Sequence, residues 1–72
     1  MAEQETRRSV MPNGKHIDAL RKTKALTIEG LALESDLGMR TVQKAIAGSP
    51  VSIETLQIIA ETLQAVAIRM GL

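Results

Sequence analysis

Apolar positions recur at helical spacing in four stretches of the chain, and polar turn formers separate them. Ile17 and Leu20 stand three apart. With Asn13 able to cap, they predict a first helix over about residues 13–24, with both side chains turned inward. Ile28, Leu31 and Ala32 form the inward stripe of a second helix from Ile28 to Ser35, with Thr27 as N-cap and Glu29 complementing the helix dipole in the first turn. A third spans about Met39 to Ala47, with Val42, Ala45 and Ile46 on its apolar side. Ile53, Leu56, Ile59, Ala60 and Leu63 follow the spacing of a fourth core face, behind Ser52 as cap. The segment from Gln64 onward is either its continuation or a short fifth helix. No repeat, low-complexity tract or strand signal stands out.

The punctuation between these stretches is as informative as the stretches themselves. Asp36-Leu37-Gly38 breaks the helical pattern between the second and third segments. Asp tolerates the left-handed conformation that ends many helices, and Leu37 supplies a pin for the core. Ala32 lies four residues before this break, and Val42 and Ala45 lie four and seven residues after Gly38. That spacing describes two helices packed across a turn of three to four residues, with the small Ala32 permitting their close approach. Gly48 followed by Ser49-Pro50 is an end signal for the third helix. Residues 1–12 show no periodicity and run into Pro12-Asn13-Gly14, so a flexible arm is expected over 1–12 and a folded domain over 13–72. Ser35 stands where a large apolar residue is expected, and Gly30 weakens the second helix by up to about 1 kcal/mol relative to Ala. Close helix packing is the one account the sequence offers for either.

Length restricts the chain to one domain: at 72 residues it buries only about 60% of its unfolded surface. Phe, Tyr and Trp are absent, so the core is aliphatic. The lack of cysteine excludes disulfides, and one histidine falls short of a zinc ligand set. No apolar run of about 18 residues is present to cross a membrane, and the polar start lacks a leader's apolar stretch, so a soluble cytoplasmic protein is expected. The net charge of +1 conceals a polarity along the chain. Eight of the nine cations lie between Arg7 and Lys44, where only Asp18, Glu29, Glu34 and Asp36 oppose them, a surplus of four. The back half sets Glu54 and Glu61 against Arg69. Such a small domain can present one basic face to a polyanion. Lys15, Arg21, Lys22 and Lys24 divide evenly between ordinary surface charge and steering along a phosphate backbone. Arg7-Arg8 divides between a groove-tracking arm and a plain tail.

Catalysis has little to stand on. His16 has no second histidine or cysteine to work with and reads as a surface residue. Ser9, Ser35, Ser49 and Ser52 lack the buried supporting shell that a nucleophile needs. Gly30, Gly38 and Gly48 fall at a mid-helix, a helix start and a helix end, so no phosphate loop is formed. No enzyme, cofactor or metal is expected.

From Ile17 to about Leu63 the chain resembles the phage-repressor or Cro-like helix-turn-helix family. The matching pieces are Ile17-Asp18-Ala19-Leu20-Arg21, Leu26-Thr27, Leu31-Ala32, Leu37, Thr41-Val42, Gly48, and Ser52-Ile53-Glu54-Thr55-Leu56 with Ile59-Ala60 and Leu63. The resemblance implies an all-α, lambda-repressor-like bundle of four to five short helices whose third helix enters the major groove of double-stranded DNA. The groove-facing positions it implies are Gly38, Met39, Arg40, Gln43, Lys44 and Ala47, with Thr27 and Thr41 as further DNA contacts. Two positions depart from the family. Ile28 stands where a phosphate-holding Gln is usual, leaving that contact to backbone amides. Gly38 replaces the usual Ser or Thr cap, a loss of only a few tenths of a kcal/mol.

The tail carrying Val66, Ile68, Met70 and Leu72 is more apolar than a free end. It packs onto the first helix, serves a homodimer, or marks the front module of a longer protein. The resulting expectation is a sequence-specific DNA-binding domain of a transcriptional regulator. Its rival is a helical protein-interaction module of a larger signalling or toxin-antitoxin protein that has lost DNA binding.

Overall fold

The computed structural model describes residues 9–71. Within them the chain is an all-α bundle of four helices: α1 (Gly14–Thr23), α2 (Ile28–Ser35), α3 (Met39–Ile46) and α4 (Ile53–Arg69). Two short strands, β1 (Ser9–Val10) and β2 (Val51–Ser52), pair antiparallel, with Ser9 opposite Ser52 and Val10 opposite Val51. The sequence carries no strand signal here because two residues are too few to show an alternation. The pairing ties the last part of the expected arm to the start of α4. Arg7 and Arg8 lie outside the described residues.

Each helix begins where a side-chain oxygen accepts an orphan amide, with one exception. Asn13 accepts from the His16 amide at 3.2 Å, Thr27 from Gly30 at 2.8 Å, and Ser52 from Thr55 at 3.1 Å. Gly38, at the start of α3, has an extended backbone (φ −69°, ψ 151°) and no side-chain cap.

The first three helices end by one device. One or two residues beyond each helical stretch the chain turns left-handed: Ala25 at φ 56°, Asp36 at φ 59° and Gly48 at φ 82°. Behind each, two amides reach back into the last turn. Ala25 N donates to Lys22 O and Leu26 N to Arg21 O; Asp36 N to Leu33 O and Leu37 N to Ala32 O; Gly48 N to Ala45 O and Ser49 N to Lys44 O. This pattern satisfies carbonyls that would otherwise lack partners, and it reverses the chain within a few residues. Asp and Gly suit that conformation, but Ala costs about 1–2 kcal/mol there. Ala25 gives no turn signal in the sequence; it is exposed, and hydrogen bonds on either side of it close the turn.

Leu31, Val42 and Ile59 lie fully buried at the centre, with Ile17, Ala32, Ala45, Val51 and Leu63 around them. Leu20, Leu26, Ile28, Leu37, Ile46 and Leu56 are half-buried against this cluster. Ser35 is buried among the helices, and its hydroxyl donates to the Leu31 carbonyl at 2.7 Å. The hydroxyl's polarity is thereby satisfied within its own helix. Gly30 offers its amide to Thr27, and a Cβ there would sit 3.1 Å from the Thr27 Oγ1.

Among the glycines the tightest site is Gly14. A Cβ on this buried residue would press on the Ile46 carbonyl group and lie 3.0 Å from the Ala45 oxygen. The first turn of α1 therefore rests directly on the last turn of α3. Only a residue without a side chain fits.

Beyond Gln64, α4 continues unbroken to Arg69, so no fifth helix forms among the described residues. Val66 is buried within the chain (4% exposed), which removes it from the surface once expected to serve a homodimer. Ile68 and Met70 remain exposed at 70% and 47%, and Leu72 lies outside the described residues. Arg69 joins Glu34 of α2 at 2.8 Å. No helix among the described residues is long and apolar enough to cross a membrane.

Two stability changes follow from this backbone. Gly14→Ala forces α1 off the end of α3 and lowers the unfolding free energy by about 1–3 kcal/mol, seen as an earlier urea midpoint. An unchanged midpoint would show that the contact is not tight. Ala25→Gly relieves the left-handed strain and raises stability by about 1 kcal/mol in the same measurement, with the helix content by circular dichroism unaltered.

Candidate nucleic-acid interface

The outward face of α3 follows from the burial of its opposite side. Val42 and Ala45 are fully buried, which fixes the rotation of this short helix about its axis. Arg40, Gln43, Lys44 and Ala47, spaced by three, four and seven, then share the solvent side, and all four are exposed. Met39 lies beside them at 43% exposure. Thr41 is half-buried at the flank of the row. Of the eight positions expected to meet DNA, the other seven are exposed.

Arg40 and Lys44 stand one helical turn apart and join none of the salt bridges among the described residues, which are Arg21–Asp18, Lys22–Asp18 and Arg69–Glu34. Their charges are therefore unpaired among the described residues. Gly38 presents open space, with nothing within 4 Å of where a Cβ would stand. No side chain caps the first amides of α3, which lie at the positive end of its dipole. Thr27 is exposed at the start of α2, where its oxygen caps the helix and its hydroxyl hydrogen donates to no group among the described residues. Ile28, standing where the resemblance leads one to expect Gln, packs half-buried against the core. Its side chain is committed to packing.

The cations of α1 do not form the uniform surface that their spacing suggests. Lys15 is exposed, whereas the Arg21 side chain is only 13% exposed. Its Nε and Nη2 donate to the Asp18 Oδ1 at 3.1 and 2.6 Å, and its Nη1 donates to the Leu26 carbonyl at 2.6 Å. The Lys22 Nζ lies 3.2 Å from the other Asp18 oxygen. Arg21 is therefore neither free surface charge nor an open phosphate contact. The hydrogen bond from Arg21, then that from Lys22, holds the Asp18 carboxyl below the usual carboxylate range. An Asp three residues before an Arg on one helix was legible as an ion pair in the sequence. The bond across to Leu26 was not, because it depends on the path of the turn.

A family model described as helix-turn-helix matches residues 17–69. No curated protein and no solved structure gives a match.

The lowered Asp18 pKa has a definite sign in stability. A depressed folded-state value means that the ion pair contributes fully above the unfolded value near 3.8 and is lost as pH falls through the lower folded value. Wild type is thus more stable than Asp18→Asn at neutral pH, and the gap closes as pH drops below 3.8. Chemical denaturation of both proteins across that range checks it. A gap that stays constant would mean the carboxylate charge contributes nothing.

Proposed function

The chain belongs to the phage-repressor, Cro-like helix-turn-helix family of DNA-binding domains, and from that premise we propose that it is the sequence-reading domain of a transcriptional regulator. In this reading α3 lies in the major groove of double-stranded DNA, and the protein acts in the cytoplasm without catalysing a reaction. The observation that carries it is the row of exposed Arg40, Gln43, Lys44 and Ala47 opposite buried Val42 and Ala45. Arg40 offers a two-pronged donor suited to guanine, Gln43 a carboxamide suited to adenine, and Met39 an apolar contact for a thymine methyl. Lys44 suits a phosphate. The Thr27 hydroxyl and the first amides of α2 suit the backbone on the near side of the groove.

A second reading, a protein-interaction module that has lost DNA binding, draws on a different surface. Ile17, Leu20, Leu56, Ile59, Ala60 and Leu63 line an apolar groove of about 300 Å³ between α1 and α4, and Ile68 and Met70 are exposed near the end of α4. An NMR titration with random duplex at low salt separates the two. Shifts along Met39 to Ala47 and in α1 support DNA binding; silence there, with concentration-dependent shifts at Ile68 and Met70, supports the other.

If about 4–6 phosphates are contacted, log affinity falls with log salt at a slope of about −4 to −5. Lys44→Ala weakens binding to every sequence and reduces that slope by about 1, while Gln43→Ala changes base preference at one position by about 1–3 kcal/mol. Fluorescence anisotropy on a panel of duplexes measures both. Equal, undiminished affinity in the two variants would show that another face meets the nucleic acid.

A further inference from the structure

We propose that Arg21 is a positioning residue for the DNA interface, locking the turn between α1 and α2 so that Thr27 and the start of α2 are held at the nucleic-acid backbone. The proposal rests on the reading of this chain as a DNA-binding domain. It concerns how that interface is kept in place.

Three donors of one planar guanidinium are engaged in two directions. Nε and Nη2 hold the Asp18 Oδ1 on α1, and Nη1 holds the carbonyl of Leu26, the residue immediately before Thr27. The Lys22 Nζ lies 3.2 Å from the second Asp18 oxygen and helps keep the carboxylate turned toward Arg21. Between the two anchored ends stands Ala25, at φ 56°. A non-glycine residue in that conformation tends to relax to negative φ, and such a change would rotate the Leu26 carbonyl and shift Thr27 behind it. The guanidinium fork opposes that relaxation at its most sensitive point. At 13% exposure Arg21 has little surface left with which to touch a phosphate itself, so it acts through Thr27 and α2.

Geometry makes the role specific to arginine. A lysine ammonium on a flexible stem can pair with Asp18 or reach the Leu26 carbonyl, but it lacks the rigid fork that spans both. Hydrogen bonds to backbone phosphates tolerate displacements of only a few tenths of an ångström before they weaken. A loosened turn therefore lowers affinity while the helices stay folded.

The test compares wild type, Arg21→Lys and Arg21→Met with Val66→Ala, which truncates a buried α4 side chain outside the turn and so lowers stability by another route. Affinity for a duplex is read by fluorescence anisotropy over a salt series, well below the unfolding temperature of each protein, with helix content checked by circular dichroism. Both Arg21 substitutions are expected to lose about tenfold in affinity. Val66→Ala, at a comparable loss of stability, should bind like wild type, and the salt slope of every variant should keep its wild-type value. The proposal is overturned if Arg21→Lys binds like wild type, since charge alone then suffices. A slope reduced by about 1 also overturns it, by revealing a direct phosphate contact. An equal loss of affinity in Val66→Ala overturns it as well, because the role is then structural only. Folded wild type that binds no duplex removes the DNA reading itself, an outcome separate from failure confined to the Arg21 variants.

Discussion

The contact between Gly14 and the carbonyls at the end of α3 sets the arrangement of the bundle. With no side chain between them, the first turn of α1 lies on the last turn of α3 at backbone distance. The positive end of one helix dipole meets the negative end of the other, an association that a methyl group would separate. This contact joins the burial of Val42 and Ala45 in fixing where α3 sits and which way it faces. The exposed row from Arg40 to Ala47 is the other side of the same constraint. A recognition surface on an eight-residue helix is only as well oriented as the packing beneath it.

Small size and an aliphatic core are compatible here because the turns are so short. Ala25, Asp36 and Gly48 each reverse the chain within one or two residues of a helix end. The loops add little exposed backbone, and Leu31, Val42 and Ile59 can fill the centre without an aromatic ring. The cost falls on Ala25, which adopts a conformation that its side chain disfavours. Arg21, with its fork on Asp18 and Leu26, lies beside that strain and offsets it. Packing and electrostatics thus meet in the turn before Thr27.

The distribution of charge follows the same division of labour. A count along the chain gives a surplus of four cations between Arg7 and Lys44, but the count does not say which of them face outward. Arg21 and Lys22 are engaged with Asp18, and Arg69 with Glu34. Arg40 and Lys44 join none of these pairs and stand together on α3. Lys15 and Lys24 likewise join none of them, so the unpaired positive charge among the described residues is divided between α3 and the two ends of α1.

Much of the fold was legible in the sequence because its signals are local. Asn13, Thr27 and Ser52 cap amides three residues ahead of themselves, and Asp36 and Gly48 turn left-handed through their own backbone preferences. The apolar spacing of Leu31, Ala32, Val42, Ala45, Ile59 and Leu63 marked the core faces, since helical period and burial coincide there. Other features appeared only in three dimensions. The pairing of Ser9–Val10 with Val51–Ser52, the seating of Gly14 on Ile46, the inward turn of Arg21 and the burial of Val66 each join residues whose relation no local pattern records. Sequence determined where helices start, stop and hide their apolar side, because those choices are made within one or two turns of backbone. Which glycine must be bare and which cation must face inward was decided by the tertiary structure, because both depend on what another segment places opposite.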